Sequence, residues 1–270
     1  MHSCALTIAG SDSGGNAGVQ ADLRAFHYYG LHGCTVFAAL TAQNPFGVSA
    51  IHPVPADFVA AQLDAVLGVY AIKALKTGML ADPAAIEVIA ERLARHPEIA
   101  KVIDPVMVAT SGARLVPEAT VEAIKSKLLP LATLITPNLP EAETLLGREV
   151  SDPNAERLAT ADRAKELAKE IYGRFGCAVL VKGGHGANSA AVDVLFDGKE
   201  FSEYSLPWVA NPVSTHGTGC SLGSALAAEL TLGRSLRDAV RGAKAYVHGA
   251  IAASYLVGEN CGVLGVPARV

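Results

Sequence analysis

Thr215-His-Gly-Thr-Gly-Cys220 precedes a run of small residues, Ser221 to Glu229. Gly217, Thr218 and Gly219 let backbone N–H groups turn into one concavity, and the start of the following helix adds partial positive charge. Such a site holds a phosphoryl group while negative charge moves during transfer. Cys220 falls in the first turn of that helix, where a thiol pKa drops from about 8.5 to somewhere between roughly 3.5 and 7.5. It then serves as a base toward a hydroxyl or as a nucleophile. The same residues also fit a plain glycine-rich loop with a small buried cysteine.

Thr136-Pro-Asn138-Leu-Pro-Glu141 sets an amide and a carboxylate three apart at a helix start. Hard oxygen ligands of this kind suit a hydrated Mg²⁺, and equally an ordinary capping box. Asp104-Pro105-Val106 puts an acid just after an apolar run, where it contacts Mg²⁺ through water, orients a nucleotide, or simply makes a turn. Lys182-Gly183-Gly184-His185 offers a point charge for phosphate or a solvated strand end. Gly10 to Gly18 is glycine-rich, with Asp22 one turn into the next helix. It is not the dinucleotide fingerprint, and no Gly-Lys-Ser/Thr P-loop occurs in the chain.

The elements that must position these residues alternate. Strands are expected at Cys4–Ala9, Ala74–Thr77, Lys101–Asp104, Leu134–Thr136 and Ala178–Lys182. Helices are expected at Val19–Tyr29, Ala56–Val69, Pro83–Ala94, Glu118–Leu129, Leu139–Leu146, Ala161–Phe175, Gly219–Leu230 and Leu236–Leu256. Ala191–Phe196 and Glu200–Tyr204 read as a β-hairpin around Asp197-Gly198. Asn154–Ala161 reads as a loop. Such alternation predicts a mostly parallel α/β sheet, with ligands beyond the carboxyl ends of the strands. The polar and glycine residues singled out above follow strands, as that rule requires.

A chain of 270 residues that is 50% hydrophobic and 6% aromatic fits one domain, 1–270, with an aliphatic core. A formal charge of −4 and the lack of a basic run argue against nucleic acid as a partner. The N-terminus lacks signal-peptide features, and Leu222–Leu232 is too short to span a bilayer. Cys4, Cys34, Cys177, Cys220 and Cys261 show no metal spacing, which points to reduced thiols in a cytoplasmic protein.

Taken together and in order, these motifs resemble the ribokinase superfamily, and within it the hydroxymethylpyrimidine/phosphomethylpyrimidine kinases of thiamine biosynthesis. The resemblance is carried by Leu6–Asp12, Gly18–Asp22, Ala39–Asn44, Lys76–Leu80, Asp104–Met107, Ile135–Ala142, Val181–His185 and His216–Cys220. It implies a ribokinase-like three-layer sandwich: a central, mostly parallel sheet flanked by helices, with a small hairpin extension and usually as a homodimer. It implies ATP and Mg²⁺ as cofactors, with a monovalent cation as a further candidate. Most superfamily members carry Asp where this chain has Cys220, and the pyrimidine kinase subgroup carries Cys. The resemblance therefore implies Cys220 as the base, Gly217, Thr218 and Gly219 as the anion hole, and Asn138 and Glu141 at Mg²⁺ and phosphate. Lys182 and Gly184 match the nucleotide side, and Gly10, Asp22, Gln43, Met79 and Val106 the substrate pocket. Separately from the resemblance, Thr110–Ala113 is expected to form a flap that excludes water. In the first loop, Asn16 stands where the family usually has Gly.

The implied activity is phosphorylation of a hydroxymethylpyrimidine and then of its monophosphate. Gln43 carries both a donor and an acceptor, which suits an aminopyrimidine edge. Pyridoxal kinase activity is the alternative within the superfamily. A non-catalytic pyrimidine-binding module is a third reading, and a nicotinamide dehydrogenase a distant fourth.

Overall fold

The chain is described from a computed structural model, over residues 3–107, 116–148, 161–183 and 190–268. The features expected at 110–113, at 154–160 and at Gly184 lie outside these residues. The elements run β1 (Cys4–Asp12), α1 (Gly18–Tyr28), β2 (His32–Asn44), β3 (Gly47–Pro53), α2 (Ala56–Leu67), β4 (Ile72–Thr77), α3 (Pro83–Ala94) and β5 (Ala100–Ile103). Then follow α4 (Glu118–Ala123), β6 (Leu134–Ile135), α5 (Leu139–Leu145), α6 (Ala161–Phe175), β7 (Ala178–Val181), β8 (Ala190–Phe196) and β9 (Phe201–Pro207). The chain continues through α7 (Thr218–Thr231), α8 (Leu236–Ala252), β10 (Tyr255–Gly258) and β11 (Cys261–Val263).

The main sheet has nine strands in the order β3-β2-β1-β4-β5-β6-β7-β8-β9. From β2 to β7 neighbouring strands are parallel, and β3, β8 and β9 extend the two edges antiparallel. Parallel strands covered on both faces need apolar residues on both faces, hence the unbroken burial of Ala5 to Ala9 in β1. Helices α2, α3, α5 and α6 pack on one face through Leu63, Ile86, Leu145 and Leu167. Helices α1, α7 and α8 pack on the other through Phe26, Leu226 and Val240. This is the three-layer α/β sandwich expected. Truncating any of these side chains to Ala would cost about 2–5 kcal/mol.

Local chemistry sets the helix starts. Asp82 caps α3 by accepting from Ala84 N at 3.1 Å, with Pro83 in the first turn. Ser235 caps α8 in the same way. The helix expected over Glu118–Leu129 is α-helical only to Ala123, then widens to a π turn at Ile124–Leu128 and ends in a 3₁₀ turn at Leu129–Leu131. Pro130 has no N–H to continue an α-helix, so the hydrogen-bond register changes before it. The helix expected to reach Leu256 stops at Ala252, and Tyr255–Gly258 pairs antiparallel with Cys261–Val263 instead. Asn260, at φ +57°, makes the tight turn between those two strands.

Two irregularities fall at expected site residues. The β1–β2 pairing slips between Ala9 and Gly10, and the β2–β3 pairing slips between Ala42 and Gln43. Bulges re-aim side chains at the end of a strand. Here they fall at Gly10 and Gln43, both expected at the substrate.

Candidate active site

The carboxyl ends of β1, β4, β5, β6 and β7 open into one cleft of about 540 Å³. That volume suits a small ligand. Its lining includes Gly10, Gln43, Met79, Val106, Asp104, Asn138, Glu141, Lys182 and Gly217 to Cys220. Residues from separate stretches of the sequence thus meet in one place.

One wall is the start of α7. Gly217 is its N-cap residue at φ +91°, and no side chain caps the helix there. A Cβ at Gly217 would stand 2.1 Å from the carbonyl oxygen of Asn16, so only glycine lets this loop nest against the first one. Thr218 N donates to Thr215 O at 3.4 Å, so of the expected anion-hole amides that one already has a long bond within the loop, and the rest of the uncapped first turn leaves backbone N–H groups for an anion. Lys182 lies alongside: a Cβ at Gly219 would be 3.9 Å from its Nζ.

Cys220 sits in this first turn and lines the cleft. The sequence argument expected a lowered thiol pKa. Burial instead pushes it up, opposed by the Lys76 ammonium and by a hydrogen bond from the Gly18 backbone, with Asp22 and Asp104 adding to the rise. Desolvation thus outweighs the lowering expected from the helix terminus.

Beside that wall, Lys182 Nζ is 2.8 Å from Asp104 Oδ1 and 3.7 Å from Glu141 Oε2. Thr136 Oγ1 also donates to Asp104, at 3.0 Å. Burial opposes the Lys182 charge, but the two acids hold its pKa above the ordinary lysine value. Glu141 is pushed up to about 7, chiefly by burial, with Lys182 opposing and Asp104 adding. Asn138 and Glu141 form a full capping box: each side chain accepts from the other's backbone N–H at 2.8 Å. Both also line the cleft, so the cap and the ligand readings coexist. Among the described residues no three His, Cys, Asp or Glu side chains converge as a metal cage. The acid oxygens of Asp104 and Glu141 with the Asn138 amide fit a hard cation that keeps most of its waters.

The opposite end of the cleft carries the expected substrate residues. Gly10 packs against Met79, since a Cβ there would meet Met79 Cε at 2.8 Å. Gln43 Nε2 is 3.3 Å from His216 Nε2, and the Gln43 backbone N donates to Ser13 Oγ at 2.9 Å. Asp12 braces the first loop by accepting from Gly14, Asn16 and Ala17 N–H groups.

Asp22 is the exception and corrects the sequence reading. It is fully buried, held by Thr7, Lys76 and Ser224, and does not line the cleft. An acid one turn into a helix reaches either the ligand or the protein. Here Lys76, distant in sequence, takes it inward. Gly184 lies outside the described residues.

Sequence reasoning also missed residues that the cleft contains. Lys244 Nζ pairs with Asp193 Oδ2 at 2.6 Å, and Gly183 N donates to Asp193 Oδ1 at 2.9 Å. The signal was an acid inside the otherwise apolar run Ala190–Phe196. His216 stood within the quoted motif, but nothing local paired it with Gln43.

Comparison with known proteins gives the same picture. The family model described as phosphomethylpyrimidine kinase matches residues 12–265. The hydroxymethylpyrimidine/phosphomethylpyrimidine kinase of Rhizobium meliloti is 45% identical over 257 residues, covering 94% of this chain and 92% of that one. The thiamine biosynthesis bifunctional protein of Geobacter sulfurreducens is 44% identical over 95% of this chain, which spans 51% of that longer protein. Among solved structures, an ADP complex of Bacillus subtilis pyridoxal kinase superposes with a TM-score of 0.87 at 34% identity, covering 98% of this chain and 97% of that one. The phosphomethylpyrimidine kinase of Clostridium difficile 630 superposes with a TM-score of 0.77 at 36% identity, covering 90% and 97%.

Proposed function

The chain belongs to the phosphomethylpyrimidine kinase family, and from that premise we propose that it transfers phosphoryl groups from ATP to 4-amino-5-hydroxymethyl-2-methylpyrimidine and then to its monophosphate. One observation carries the reading: an uncapped helix start, a cleft-lining cysteine and a cleft-lining lysine converge at the end of the sheet. That is the equipment for holding a migrating phosphate beside a proton acceptor.

The roles follow from position. The first-turn N–H groups at Gly217, Thr218 and Gly219 receive the charge that develops on the transferred group. Lys182 and Asp104 serve the nucleotide. Gly10, Gln43, Met79 and Val106 form the ring pocket. Gln43 can both donate to and accept from an aminopyrimidine edge. Cys220 takes the proton of the substrate hydroxyl. Asn138 and Glu141 would hold Mg²⁺, partly through water, and the ion would neutralise phosphate charge. A monovalent cation remains a candidate to be tested by omission.

Pyridoxal is the second acceptor to consider, because pyridoxal kinases of Bacillus subtilis and Staphylococcus aureus share the fold closely. Steady-state ADP release with the hydroxymethylpyrimidine, its monophosphate and pyridoxal in parallel tests the reading. The pyrimidine should give the highest kcat/KM, with measurable turnover of the monophosphate. A preference for pyridoxal, or ring binding without turnover, overturns it. A homodimer and a cytoplasmic location complete the proposal, and sedimentation and fractionation test them. Among the described residues, no helix is long and apolar enough to cross a membrane.

A further inference from the structure

Behind Cys220 lies a charge pair to which the roles above assign nothing. Lys76 and Asp22 both have fully buried side chains, and Lys76 Nζ stands 3.0 Å from each Asp22 carboxylate oxygen. They come from β4 and α1, and α7 packs against both elements. Thr7 Oγ1 donates to Asp22 Oδ2 at 2.6 Å. Ser224 Oγ bonds Asp22 Oδ1 and lies 2.8 Å from the Cys220 carbonyl oxygen. A chain of polar contacts therefore runs from Lys76 through Asp22 and Ser224 to the Cys220 backbone.

The path of the Lys76 side chain is tightly fixed. A Cβ at Gly223 would stand 3.3 Å from Lys76 Cγ, and one at Gly78 would stand 2.8 Å from Nζ. Glycine on both sides makes room for the ammonium. A buried ion pair is a weak source of net stability, because desolvation offsets the attraction. Its placement against the helix that carries Cys220 points to another use. The charges that act on Cys220 or feel it are Lys76 from β4, Asp22 from α1, Asp104 beyond β5 and Lys182 beyond β7. Helix α8 adds Lys244 to the same cleft, already paired with Asp193.

We propose that Lys76 and Asp22 are positioning residues for phosphoryl transfer that act through Cys220. The pair steadies the first turn of α7 through Ser224 and keeps a permanent cation near the sulfur. This deepens, and rests on, the reading that Cys220 is the proton acceptor. In that step the Cys220 thiolate takes the hydroxyl proton. The substrate oxygen bonds the γ-phosphorus as the β–γ bridging bond of ATP breaks, leaving a neutral thiol and ADP. Lys76 favours the thiolate before the step. Asp22 keeps Lys76 charged and aimed.

The test variant is Lys76→Met/Asp22→Asn, which removes both charges and strands neither. Its Cys220 is alkylated with iodoacetamide across a pH series and read by mass spectrometry, beside steady-state kinetics. The alkylation midpoint should rise, because Lys76 outweighs Asp22 at the sulfur, though by less than loss of the cation alone would give since the opposing Asp22 charge goes with it. kcat should fall by about thirtyfold or more, with KM for ATP and pyrimidine changed less than about threefold. An alkylation profile that overlays the unmodified chain, or a loss confined to KM, overturns the inference. Should that variant fail to fold, Ser224→Ala decides, because it keeps both charges and cuts the link to Cys220. kcat should then fall about tenfold, and an unchanged kcat overturns the inference. Cys220→Ser separates the two readings. Full turnover in it defeats the base assignment. Lost turnover there, with the double variant unmoved, defeats only the present inference.

Discussion

The ammonium of Lys182 lies 2.8 Å from Asp104 Oδ1, so the cation proposed to serve the nucleotide is already engaged in a salt bridge within the chain. Asp104 and Glu141 are 3% and 4% exposed, and Lys182 also stands 3.7 Å from Glu141. One lysine thus balances two buried acids.

Replacing Lys182 with Met should therefore do two things. It strands two acids, and removing one partner of a buried pair costs about 3–5 kcal/mol. Because the Lys182 side chain keeps 16% exposure, solvent screening brings the expected cost below that range, to about 2–3 kcal/mol in urea unfolding. KM for ATP should rise about tenfold or more. Unaltered stability together with unaltered KM would show that Lys182 serves neither purpose.

How much of this was readable in the chain depends on distance. Helices with their own start signals were legible: Asp82-Pro83 fixes α3, and Asn138 with Glu141 fixes α5. The glycine-rich, uncapped start of α7 was legible because Gly217, Gly219 and Cys220 adjoin in sequence. Residues 32–53 were given no element, yet they form β2 and β3. β2 mixes Cys34, Val36 and Ala38 with Thr35 and Thr41, and its slip at Gln43 breaks any single alternation. Asp22 was misplaced for a similar reason. The residues that draw it inward, Lys76 and Ser224, stand 54 and 202 positions away. The Cys220 thiol followed burial rather than its helix terminus, and burial is a property of the packed chain.

Gly217→Ala tests the loop that shapes the anion hole. The residue sits at φ +91°, and its new Cβ would meet the Asn16 carbonyl oxygen at 2.1 Å. The left-handed backbone alone costs about 1–2 kcal/mol for a non-glycine residue. The clash adds to this and shifts the first-turn N–H groups. kcat should fall about a hundredfold or more, with Tm lowered. A variant with wild-type kcat would show that these amides do not bear the transferred charge.

The pH profile follows from Cys220. Burial places its folded pKa above the ordinary thiol value. The fold therefore favours the neutral thiol. That contribution to stability is full below the ordinary thiol pKa and is lost as pH rises through the folded value. Turnover through the thiolate has the opposite dependence. kcat/KM should climb with pH by up to about tenfold per unit between about pH 7 and 9. A flat profile over that range would mean that no thiolate takes part before or during transfer.

The most direct test is Cys220→Ala, assayed for single-turnover phosphoryl transfer and for ATP affinity on the same preparation. Transfer to the hydroxymethylpyrimidine should fall by about a thousandfold, in the range of a lost general base, while the Kd for ATP changes less than about threefold. Transfer at the unmodified rate would contradict the account, because the proton would then leave the hydroxyl without the sulfur.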